Sequence, residues 1–107
     1  MTTSQRGHQR HQIAIPVEVI FEERSIAGMS RNVSLGGMFI VCLETVPFGE
    51  IVRLRFELRD LAGPVITTAV VRWIESSSGI GVQFTGLRAR EVWALQQLIA
   101  RTKGTPR

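Results

Sequence analysis

The sequence predicts an all-β domain, five or six antiparallel strands in a small barrel or sandwich, followed by one helix. Three observations carry that expectation. Apolar residues recur at every second position through most of the chain, short turn-forming clusters separate these runs, and only the last quarter changes to a helical period. At 107 residues the chain is long enough for one modest core and too short for two.

Each element has its own justification. Ile13, Ile15, Val17, Val19 and Phe21 share one face of a first strand, and Pro16 predicts an edge or a bulge near its start. A charged turn at Glu22-Glu23 leads to a second strand near residues 25–32. The third, about 37–43, is apolar on both faces and is expected to be covered on both. After PFGE, Val52, Leu54, Phe56 and Leu58 alternate with Arg53, Arg55 and Glu57 in a fourth. RDLAGP is a turn by composition, and VITTAVVRWI and GIGVQF, joined by ESSSG, form the last two strands. Trp73 keeps step with Ala69 and Val71 and is expected in the core or at the rim. In LRAREVWALQQLIAR, Val92, Leu95 and Ile99 recur at helical spacing, widened by Leu98 and by Trp93, which is expected to pack. The predicted organisation is a flexible arm over residues 1–11, a folded body over 12–101 and a disordered tail over 102–107.

Charge and cysteine usage narrow the function. Of thirteen basic residues, Arg6, Arg10, Arg101, Lys103 and Arg107 lie in the terminal segments without an acid, leaving eight against nine acids between them. The body is therefore no basic platform for duplex phosphates. A single-stranded nucleic-acid binder needs exposed aromatics interleaved with cations, and seven aromatics, mostly at inward positions, oppose that class. No DNA or RNA partner is expected. Cys42, the single cysteine, sits in the apolar run MFIVCL and is expected to pack as a small hydrophobe. The polar start MTTSQRGHQRHQ is no secretory signal and no run approaches the roughly 20 apolar residues of a spanning helix. A cytoplasmic protein without membrane insertion is the expectation.

Two short motifs stand out. Arg6 and Arg10, in RGHQR, precede the first strand. An arginine fork clamps a phosphate, takes O6 and N7 of guanine, or stacks on a base, although a charged terminal arm also arises from solvation alone. In NVSLGG, Asn32 and Ser34 point the same way if extended, while Gly36 and Gly37 remove Cβ atoms where a ligand could meet backbone N–H groups. The plainer alternative is a hairpin with an Asx-type turn. His8 and His11 form an HxxH that lacks further ligands, so no metal is expected. Both histidines lie in the arm, where a general base would not be held, so no catalytic residues are expected.

RGHQR followed by NVSLGG resembles the RxxxR and [D/N]xSxxG signatures of PilZ domains, bacterial receptors for cyclic di-GMP. The register agrees too: Arg10 stands six residues before Pro16-Val17, and the pattern resumes in VVRWIESSSGIGVQFTGL. The resemblance spans Arg6 to about Arg101 and implies a six-stranded antiparallel β-barrel with one C-terminal α-helix. It implies ligand-binding roles for Arg6, Arg10, Asn32, Ser34, Gly36 and Gly37, with cyclic di-GMP as the ligand and no other cofactor. Gln5 stands where many members carry a further cation, which leaves one ligand or an intercalated pair open. The implied protein is a non-enzymatic second-messenger receptor that relays the signal, through ordering of its arm, to an unidentified downstream protein. The alternative is a PilZ-like interaction adaptor that does not bind the nucleotide.

Overall fold

The computed structural model describes residues 9–103 apart from residue 77. Arg6, His8, most of the expected arm and residues 104–107 of the expected tail lie outside them. Six strands follow in order, β1 (Pro16–Phe21), β2 (Arg24–Val33), β3 (Gly37–Cys42), β4 (Ile51–Glu57), β5 (Pro64–Glu75) and β6 (Gly79–Phe84), and then α1 (Ala89–Lys103). They close into an antiparallel barrel in the order β1-β2-β3-β6-β5-β4, with β1 paired to β4 across the closure. The barrel with one helix is thus the fold, and the sandwich alternative falls.

The two-residue period builds the interior. Val17, Val19, Ile26, Met38, Ile40, Val52, Leu54, Phe56, Val65, Ala69, Val71, Ile80 and Val82 all point into one core. Val46, in the loop that carries the chain from β3 across to β4, is fully buried in the same core. That loop lies beside the turn after β5, where the Cys42 N–H donates to Ser78 O at 3.4 Å. Helix α1 covers the other end through Ala94, Leu95 and Ile99, and Arg101 pairs there with Asp60 in the β4–β5 turn at 2.6 Å.

The β1–β2 hairpin turns on Glu22 and Glu23, both at positive φ (52° and 65°). A two-residue loop of that kind is a type I′ turn, a geometry that Asn-Gly serves and glutamate does not. Near the other end, Ser30 is buried and holds the lead-in to β1: its Oγ accepts from Ile15 N–H at 2.8 Å and donates to Ile13 O at 2.5 Å. Regular pairing of β1 begins only at Pro16, which has no N–H to give. The irregularity falls opposite, in β2 between Ser30 and Asn32, rather than in β1 as Pro16 predicted.

Four expectations are corrected. Trp73 is on the outside, because a register shift between Val71 and Trp73 in β5 breaks the alternation that would have turned it inward. Trp93 is half exposed: Leu95 and Ile99 are buried as expected and Leu98 packs beside them, but the stripe of α1 continues through Glu91 and Ala94 rather than through Trp93. Glu91 fixes that face, since its carboxylate accepts the Arg88 N–H at 2.9 Å as the reciprocal half of a capping box. The helix also runs past residue 101 to Lys103. The third strand is covered on both faces at Phe39 but leaves Val41 exposed.

Candidate functional site

The site is assembled on the outer wall of β3, β6 and β5, beside the loop that joins β2 to β3. Its first part is the end of the N-terminal segment. His11 and Val33 exchange backbone hydrogen bonds, 2.9 Å from the His11 N–H and 2.8 Å from the Val33 N–H, so the chain is tied to the end of β2. The flexible arm expected over 1–11 is therefore docked at Arg10 and His11. Immediately before that tie, Arg10 donates from Nη1 to Asn32 Oδ1 at 2.5 Å and lies over the Trp73 ring, 4.7 Å from its centroid. Partial burial draws the Arg10 pKa downward, but a guanidinium remains charged in proteins. Its partners, an amide and an indole, leave that charge uncancelled.

Trp73 owes its seat to Gly81, its cross-strand neighbour on β6. A Cβ on Gly81 would stand 2.0 Å from the ring, so the bare backbone forms the floor on which the indole lies. On the other flank of Gly81, Phe39 lies under Arg31, whose guanidinium carbon is 4.2 Å from the ring centroid. Arg31 differs from Arg10 in one respect: it is paired with Glu75 at 3.2 Å.

The NVSLGG segment plays a different part from the one its residue types advertise. Ser34 is buried, and its Oγ accepts from both the Gly36 and Gly37 N–H groups at 3.2 Å while donating to Gly37 O at 3.3 Å. The Ser34 N–H also reaches Gly37 O, at 2.8 Å. The two amides expected to meet a ligand are thus engaged within the turn. Gly37 is glycine for a packing reason, because a Cβ there would lie 2.0 Å from Val82 O on β6. Neither Gly36 nor Gly37 has positive φ.

Between these parts lies a cleft of about 290 Å³, lined by Arg10, Ser34, Gly36 and Gly37 together with Arg72, Trp73, Val82 and Gln83. Four of the six expected ligand residues are therefore brought together, Asn32 joins them through Arg10, and Arg6 lies outside the described residues. Among the described residues the lining carries two arginines, no carboxylate and no group that titrates near neutrality. Such a lining favours an anionic ligand. A larger hollow of about 450 Å³ over β1, β2 and β4, with Glu18, Ser25, Arg55 and Glu57 in its lining, contains none of the motif residues.

Sequence reasoning missed Arg72, Gln83 and the role of Gly81. The position of Gln83 between inward Val82 and Phe84 would have placed it outside. Arg72, next to inward Val71, is outward by alternation alone, but nothing in the sequence signals the bulge that turns Trp73 outward beside it.

Comparison with known proteins agrees with the fold that carries this cleft. A family model described as PilZ domain matches residues 4–101. Among solved structures, the Bacillus subtilis inhibitor of motility MotI/DgrA is similar over 96% of this chain and 53% of its own, with 27% identity and a TM-score of 0.78. This chain thus spans about half the length of that relative. The PilZ domain of CeSA from a cellulose-synthesizing bacterium is similar over 90% of this chain and 96% of its own, at 20% identity and a TM-score of 0.61. The PilZ domain of Escherichia coli YcgR, solved with c-di-GMP, is similar over 91% of this chain and 90% of its own, at 13% identity and a TM-score of 0.70. At those two identities the likeness is one of fold. Curated proteins gave no match.

Proposed function

The chain belongs to the PilZ domain family, and from that premise we propose that it is a receptor for cyclic di-GMP which binds the dinucleotide in the cleft between Arg10 and the β5–β6 wall. The observation that carries the reading is the placement of Arg10: stacked on Trp73, held by Asn32, and free of any carboxylate partner among the described residues. A guanidinium so held is already desolvated on one face and fixed in direction, so little ordering opposes its contact with a phosphate or a guanine edge. Asn32 engages Arg10 through its oxygen and keeps its amide donors for guanine O6 or N7. Ser34, Gly36 and Gly37 act as the shaped wall rather than as donors, since their hydrogen bonds close the turn. Arg6 would add a second clamp from the segment before Arg10.

The protein acts by binding, without chemistry of its own, in the cytoplasm where this messenger is made. Ligand in the cleft alters the surface around Arg10 and Trp73 that a downstream protein meets, and this is the relayed signal. Calorimetric titration of cyclic di-GMP into the wild type and into Arg10→Ala, with GMP as the control, tests the reading. Saturable binding at micromolar affinity or better, weakened at least about tenfold in the variant, is the expected result. No heat and no thermal shift with the wild type at high ligand would overturn it.

A further inference from the structure

We propose that Arg72, held in place by Gln83, is a second cationic contact of the cleft and takes a phosphate of the bound dinucleotide; this rests on the receptor reading above. Three features of its surroundings point there. The register of β5 on β6 passes from Val71 opposite Val82 to Trp73 opposite Gly81, so Arg72 is the extra residue of a bulge and stands beside the indole on the outer face. Its Nε donates to Gln83 Oε1 at 2.7 Å, which fixes the plane of the guanidinium and leaves its four Nη hydrogens as donors. Both side chains line the cleft that Arg10 enters.

The choice of partner gives Arg72 its meaning. Arg31, on the same wall, is matched by Glu75, and Arg24, Arg88 and Arg101 are matched by Glu44, Glu91 and Asp60. Arg72 is matched by a neutral amide, which orients the fork and leaves its charge uncancelled. Two uncompensated guanidinium groups in one cleft repel each other in the free protein, and a ligand with two phosphates relieves that repulsion. A glutamate at position 83 would hold Arg72 equally well and neutralise it, so position 83 sets the affinity of the cleft for a dianion.

Titration of cyclic di-GMP at several salt concentrations into the wild type, Arg72→Gln, Arg72→Lys and Gln83→Glu tests this, with melting temperature as the control for folding. Arg72→Gln is expected to weaken binding on the order of ten- to a hundredfold and to make it less sensitive to salt. Arg72→Lys keeps the charge but not the fork, so salt sensitivity stays and affinity falls to an intermediate value. Gln83→Glu weakens binding although Arg72 is intact, an effect that a merely structural Arg72–Gln83 contact would not produce. Wild-type affinity and salt dependence in Arg72→Gln, against a wild type that binds, would overturn the assignment of Arg72 alone. A wild type that does not bind would overturn the receptor reading and this inference with it.

Discussion

Gly37 shows how a motif residue answers to two demands. The Val82 carbonyl oxygen that blocks its Cβ belongs to the backbone of the neighbouring strand and cannot swing aside. Gly37→Ala is therefore expected to destabilise the fold by about 3 kcal/mol, measured by urea unfolding, whether or not ligand is present. The glycine was legible in the sequence, but its cause was not: the approach of β6 is a long-range fact that no local pattern encodes. Cys42 was easier, since an apolar run predicts burial and the thiol is buried. Burial, and then the nearby Glu44 carboxylate, push its pKa up. The folded protein thus keeps the thiol proton at a pH where the unfolded chain has released it. The resulting stabilisation is full below the unfolded thiol's range and is lost as pH rises through that range to the folded value. Unfolding curves of wild type and Cys42→Ala should accordingly draw together above pH 9.0, the ordinary thiol value.

Among the elements, the β1–β2 hairpin and α1 carry opposite local signals. Glu22 and Glu23 hold left-handed conformations that cost about 1 kcal/mol each. Replacing the pair by Asn-Gly is expected to raise stability by about 1–2 kcal/mol, read from the urea midpoint, with the barrel register unchanged. In α1 the agreement is local: Glu91 satisfies the Arg88 N–H from within the first turn. Glu91→Ala should cost about 1–2 kcal/mol and loosen the helix first, visible as faster amide exchange over its opening turn. Strand existence was legible from alternation because each strand has one face in a single core. What alternation cannot register is a bulge, and the two bulges, at Ser30/Asn32 and Val71/Trp73, lie on the strands that carry Asn32 and Trp73. On the helix, Leu95 and Ile99 were legible and the inward Glu91 was not, because a charged residue at an inward position reads as outward unless its cap is recognised.

For the molecule as a whole, ligand binding and folding are linked. A ligand held by the native barrel alone, present at a hundred times its dissociation constant, adds about 2.7 kcal/mol to the free energy of unfolding. For a domain of this size that is a rise in melting temperature on the order of 10 °C, cut to about half or less in Arg10→Ala by a loss of affinity of about tenfold or more. The motif pair was readable in sequence because its residues are polar among apolar ones; that Ser34 serves the turn, while the cleft's charge also comes from Arg72, became visible only when the strands closed.

That closure has a further consequence. Every strand has a hydrogen-bonded neighbour on each side, including β1 and β4 at the junction of chain-distant segments, so the ring has no open seam along which a second backbone could be stitched. Any protein that listens to this domain must read the relief of its side chains, and on the proposed function the relief that a messenger redraws is the patch where Arg10 rests on Trp73.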